Sequence, residues 1–223
     1  MNPVVAPAGN RVGALLEVTT NAQVFVDGKT TRVNTNHVTE LSFSPDGTHY
    51  AYLAAENVVG PSRLVPEGVP QANSAVGGPD PGRQGALSYV WSPESEHIAH
   101  FAFPPTPTSN YERGLFLDGK YISFGAAPGA YTLLTFTPDS KHLLWVRNAV
   151  VDGVQGFRIF VDGKPIVVGN YAQGNFFYNT PGSWDLAPDG PLSILAQDDN
   201  SLKRISITPS PETSLETLLA SGR

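Results

Sequence analysis

Apolar residues along this chain fall in short alternating runs, broken every few residues by proline, glycine, asparagine or aspartate. Strict alternation over four to eight residues marks a strand with one buried face, and such punctuation marks turns. One run recurs with a proline turn after it: VVAPAG, LSFSPDG, YVWSPES, LTFTPDS and WDLAPDG. The prolines are Pro7, Pro45, Pro93, Pro138 and Pro188, spaced by 38, 48, 45 and 50 residues. A second run follows each of the first four: QVFVDGK, RLVPEG, LFLDGK and IFVDGK, with ISITPS in the matching place of the fifth. Asp-Gly between extended runs is a hairpin signal, because Gly accepts positive φ and Asp tolerates it. Each repeat therefore predicts four strands: A up to the proline turn, B after it (HYAYLAA, HLLWVR), C into the Asp-Gly turn, and a short D. In the fifth repeat, SLETLLA near the C-terminus reads either as strand D or as a short amphipathic helix.

A four-stranded antiparallel unit repeated every 40–50 residues is the sequence mark of a β-propeller blade. The expected architecture is all-β: a five-bladed β-propeller of four-stranded antiparallel blades. It forms a single domain over residues 1–223, with blades at roughly 1–36, 37–75, 84–126, 130–170 and 181–220. A β-sandwich of similar composition would not explain the double periodicity. The SPDG-type turns resemble those of the TolB-like and WD-like propeller repeats over nearly the whole chain. That resemblance implies the fold and a role as an interaction platform, and it is not specific for a function.

Composition narrows the function classes. Gly and Pro number 22 and 20, which suits strands and turns and disfavours helical bundles. The net charge of −6 gives no electrostatic footprint for nucleic acid. No apolar stretch approaches a membrane span. The start, MNPVVAPAGNRVG, lacks the basic and long apolar regions of a secretory signal, which leaves the cytoplasm open, or the periplasm or exterior if a leader has been removed. The absence of cysteine excludes disulfides, thiolate catalysis and cysteine-bound metal.

Period two within strand A sends bulky residues (Leu41 and Phe43, Tyr89 and Trp91, Leu134 and Phe136, Trp184 and Leu186) between blades. The alternate positions face the central channel, and Glu40 and Asp185 are the carboxylates among them. Long insertions fall at the B–C and D–A connections, and loops of varied length on a rigid scaffold are where binding residues gather. There, Asn36, Tyr111, Arg113, Arg147, Asn175, Phe177 and Tyr178 are candidate ligand-binding residues, since aromatic rings beside amides and guanidinium groups stack on and hydrogen-bond small molecules. His49, His97 and His142 share one repeat position, four after the proline, which marks them as structural; His100 occupies the interior slot of Tyr52, Trp145 and Leu195. His37 lies outside the pattern, three residues before Glu40, and is the candidate general base.

Two functions fit. The first is a binding module for a small molecule, glycan or protein partner. The second is a calcium-dependent hydrolase of lactones or esters, such as an acyl-homoserine lactonase, or a glycosidase-like hydrolase. It would have Glu40 and Asp185 as metal ligands and His37, Asp185 and Glu40 as catalytic groups, since oxygen donors suit calcium.

Overall fold

A computed structural model describes residues 3–18, 21–55, 62–67, 89–102, 114–122, 131–151, 154–167, 184–185, 192–198, 201–207 and 214–221. The chain divides into two compact units, Met1–Ser123 and Phe124–Gly222.

The first unit holds three antiparallel sheets, each a meander in chain order. The first comprises β1 (Pro3–Val5), β2 (Val12–Val18), β3 (Asn21–Val26) and β4 (Lys29–Arg32). The second comprises β5 (His37–Phe43), β6 (Tyr50–Ala55) and β7 (Ser62–Glu67), and the third β8 (Val90–Trp91), β9 (Ile98–Ala102), β10 (Gly114–Leu117) and β11 (Lys120–Ile122). In the second unit β12 (Tyr131–Phe136), β13 (Leu143–Val151), β14 (Val154–Val161) and β15 (Lys164–Val167) form a sheet in chain order. So do β16 (Trp184–Asp185), β17 (Leu192–Asp198) and β18 (Ser201–Ile207). Every pairing among the described strands is antiparallel. The five proline repeats thus correspond one to one with five sheets. A fourth strand of the second repeat would fall outside the described residues. SLETLLA resolves in favour of a helix, α1 (Leu215–Ser221): Ser214 Oγ accepts the Thr217 amide at 3.2 Å as an N-cap, and Leu215 and Leu218 are buried.

Burial explains the apolar runs. Tyr52 and Ala54 of β6 join Val24, Val26, Val38, Leu41 and Phe43 in one cluster. Ala51 and Leu53, on the other face of the same strand, pack with Leu64 and Ile98 against Tyr89 and Trp91. With both faces of β6 covered, YAYLAA has no need to alternate. In the second unit, Leu143 to Val146 are buried consecutively, and Trp145 stacks on Phe160 with ring centroids 5.5 Å apart.

The two turn motifs have distinct causes. At each Asp-Gly turn both residues take positive φ (Asp27 and Gly28, Asp118 and Gly119, Asp162 and Gly163), as a two-residue hairpin matched to strand twist requires. At three of the proline turns the hydroxyl before the proline closes the loop, while in the first, where Ala6 precedes the proline, the Ala6 amide donates to the Arg11 carbonyl at 3.0 Å. Ser44, Ser92 and Thr137 accept the amides of His49, His97 and His142 at 3.0, 3.0 and 3.1 Å. The third turn residue has positive φ in all four described cases, Gly9, Gly47, Ser95 and Ser140. Ser is accommodated at two of them, but a Cβ on Gly47 would lie 2.0 Å from the Ala8 carbonyl oxygen, so close approach of the first sheet makes this glycine obligatory.

Candidate functional site

The candidate site begins on β5. Asn36 is exposed in the bend before the strand, and His37 opens it, half-buried and opposite Ala55. Alternation expected across Glu40 is interrupted: the register shifts between Thr39 and Ser42, and Glu40 has φ of +54°. This is a β-bulge, in which one extra residue moves the buried set to Val38, Leu41 and Phe43 and leaves Glu40 exposed.

A relay between the second and third sheets holds this bulge. Trp91 Nε1 donates to Ser42 Oγ at 3.1 Å, and Ser42 Oγ donates to the Tyr89 hydroxyl at 2.9 Å. The Tyr89 hydroxyl in turn faces the carbonyls of Glu40 and Ala51, the latter at 2.6 Å, and burial pushes its phenol above the usual range. The sequence marked Tyr89 and Trp91 as packing residues, yet their polar atoms fix the backbone that presents Glu40. The available signal was a Ser in strand A facing a Tyr and a Trp one repeat later.

His37 and Glu40 share β5 in the first unit, and Asp185 stands on β16 in the second. Arg147, expected in a B–C loop, instead lies within β13, paired with Tyr131 and Arg158, because β13 and β14 continue as a hairpin to Val151 and Val154. Only the backbone of Arg147 and Asp185 is described. Tyr111, Arg113, Asn175, Phe177 and Tyr178 lie outside the described residues.

The repeat-position histidines are fastened to the Asp-Gly turns. His97 Nδ1 meets Asp118 Oδ2 at 2.7 Å while Asp118 Oδ1 accepts the Ile98 amide at 2.9 Å. His142 Nδ1 meets Asp162 Oδ2 at 2.5 Å, and Asp162 Oδ1 accepts the Leu143 amide at 2.8 Å. The Asp118 bond raises the His97 pKa against the opposing effect of burial. In the first sheet Arg11 takes the same slot, with Nε 2.6 Å from Asp27 Oδ2, and reaches on to the carbonyls of Gly47 and Thr48. The second sheet breaks the pattern: Glu67 stands where the first, third and fourth have Asp, and His49 Nδ1 is buried without a hydrogen-bond partner among the described residues. Possible ligand atoms of Glu94, Glu96 and His97 lie within 4.8 Å of one another at the third proline turn. Both glutamates are exposed, and the fourth sheet builds the same His–Asp bond with Lys141 in place of Glu96, so that turn geometry is a property of the repeat.

No family model matches the sequence, and no curated protein matches it. Among solved structures it is similar to the β-propeller domain of the trilobed protease from Pyrococcus furiosus, with TM-score 0.49 and 10% identity over 93% of this chain and 71% of that one. It is also similar to a eukaryotic initiation factor, with TM-score 0.46 and 13% identity over 93% and 55% of the two chains. A third is TolB from Acinetobacter baumannii, with TM-score 0.39 and 13% identity over 91% and 54%. The chain spans about half the length of the latter two.

Proposed function

We propose that the chain is a five-bladed β-propeller that works as a non-catalytic binding module, recognising a small molecule, glycan or protein through its B–C and D–A loops. The observation that carries this reading is how the described acid–base groups are used. His97 and His142 are bound to buried carboxylates, and His100 is enclosed in the interior. In the third and fourth sheets the proline and Asp-Gly turns are both closed by their own side chains, and in the second the proline turn is, which supports reading that end as scaffold. Recognition is then left to the loops at the opposite ends, where the sequence concentrates Asn36, Tyr111, Arg113, Asn175, Phe177 and Tyr178, with Arg147 offered from strand β13.

The exposed Glu40 carboxylate, presented on a fixed bulge in the same strand as His37, favours a second reading. This is a calcium-assisted lactone or ester hydrolase with Glu40 and Asp185 as ligands. Base uptake in a pH-stat separates the two. A panel of lactones, including an acyl-homoserine lactone, is offered with calcium and again after EDTA. The binding module releases no acid; release that stops with EDTA and returns with calcium overturns it. For recognition itself, thermal shifts against a panel of soluble oligosaccharides and small amphiphiles should be lost in Tyr178→Ala and retained in Asp185→Ala.

A further inference from the structure

One titratable group in the first unit is used neither by the turns nor by the candidate site. His100, on β9, is 2% exposed, and neither ring nitrogen has a hydrogen-bond partner among the described residues. It stands opposite Phe116 of β10, and the two rings stack with centroids 5.2 Å apart and planes within 18°. Tyr121 of β11 packs on Phe116 in turn, at 5.3 Å. The same repeat slot carries Tyr52, Trp145 and Leu195, so an imidazole stands where the other sheets place a larger or wholly apolar side chain.

Such an imidazole is accommodated only while neutral. A charged ring there would need a partner or water, and unpaired buried charge is among the costliest features a core can hold. The described groups of the neighbouring strands offer no relief. Asp118, at the end of β10, is taken by His97 and the Ile98 amide. Tyr89, before β8, is taken by Ser42 and the Ala51 carbonyl. Neither these groups, nor Tyr121, nor Arg63 on β7 contributes to the shift of His100, and burial alone drives its pKa down, to about 4. We propose that His100 is an acid-operated latch on the third sheet: neutral, it completes the core between β9 and β10, and its protonation opens that sheet.

The direction follows from linkage. The unfolded chain binds a proton at this ring near 6.5, whereas the folded chain resists until about 4. Stability is therefore full above 6.5 and falls as the pH drops through that interval. Asp162, whose pKa burial raises above 3.8, belongs to the second unit, and the other shifted groups of the first unit act outside this interval. Asp27, Asp46 and Asp139 have lowered pKa values, so their contributions fade below the ordinary carboxylate value of 3.8. His97, with a raised pKa, has the opposite sign, its contribution being lost as pH rises.

The test uses the full chain and its His100→Leu variant, which copies the fifth repeat at this slot. Urea unfolding of the first unit, followed by the Trp91 indole resonance, is measured across the interval from 6.5 to 4. In the native sequence the unfolding constant should rise by roughly 80-fold more than in the variant over this interval, since each pKa lies at one end of it and the full limit of about 300-fold is reached only beyond both. Should the variant not fold, the His100 ring resonance of the native chain gives the answer directly, with a midpoint near 4 expected. A ring that titrates in the folded chain near 6.5, or a variant with an unchanged acid slope, overturns the latch.

Discussion

Removing the Asp118 carboxylate tests whether the Asp-Gly turns are held by side-chain chemistry or by backbone geometry alone. Asp118 is 3% exposed and makes two bonds, to the Ile98 amide at 2.9 Å and to His97 Nδ1 at 2.7 Å. A hydrogen bond to a charged group contributes about 1.5–3 kcal/mol, and breaking a buried pair from one side costs about 3–5 kcal/mol because the other partner is stranded. Asp118→Ala strands both a buried amide and an imidazole, so about 4 kcal/mol of first-unit stability should disappear, about a thousandfold in the equilibrium constant. Asp118→Asn keeps one acceptor for the Ile98 amide, and His97 can switch tautomer to accept from the carboxamide. It should cost about 1–2 kcal/mol.

Urea unfolding followed through Trp91, together with hydrogen exchange at the Ile98 amide, measures both variants. The two substitutions also differ from the native chain in pH dependence. Asp118 raises the His97 pKa, so the pairing contribution is full below 6.5 and is lost as pH rises through the folded value. The cost of Asp118→Asn should accordingly be larger near pH 5.5 than near pH 9, a window in which the carboxylate stays ionised. A loss below about 1 kcal/mol for Asp118→Ala would refute the reasoning, since it would mean the carboxylate merely accompanies a turn that closes without it.

The second sheet supplies the converse experiment. Glu67→Asp restores the repeat residue beside the orphaned His49 Nδ1 and should stabilise the first unit by about 1 kcal/mol, read as a higher urea midpoint; no gain would show that the longer carboxylate already serves. Gly47→Ala forces a Cβ against the Ala8 carbonyl from a residue with φ of +75°, and should cost about 3 kcal/mol by the same assay. Ser95 already carries a Cβ at positive φ, so Ser95→Ala adds no strain and loses only the hydroxyl that accepts the Asp46 amide at 2.9 Å, a cost of about 1–2 kcal/mol.

The elements were legible in the sequence because each is dictated locally. Asp-Gly selects a hairpin turn through the φ values those two residues tolerate, and Ser/Thr-Pro closes its own loop through the hydroxyl, so both motifs mark strand ends wherever they occur. Five repeats therefore announced five sheets, with the right strand order within each. SLETLLA was ambiguous, because seven residues carry too little periodicity to separate strand from helix; capping by Ser214 and burial of Leu215 and Leu218 decided it.

The candidate site was legible only as a set of residue types. Period two assigned a face to Glu40, but a bulge depends on what the neighbouring sheet offers, here the Tyr89 hydroxyl some fifty residues away, and no local rule contains that contact. The histidines show the same division. The position shared by His49, His97 and His142 could be counted in the sequence, but that His97 is held by a carboxylate and that, among the described residues, neither His49 Nδ1 nor the His100 ring has a hydrogen-bond partner was decided by tertiary packing. Turn and strand preferences act over a few residues and are written in the chain. Burial and pairing of polar groups depend on residues far apart in sequence, and only the assembled sheets set them.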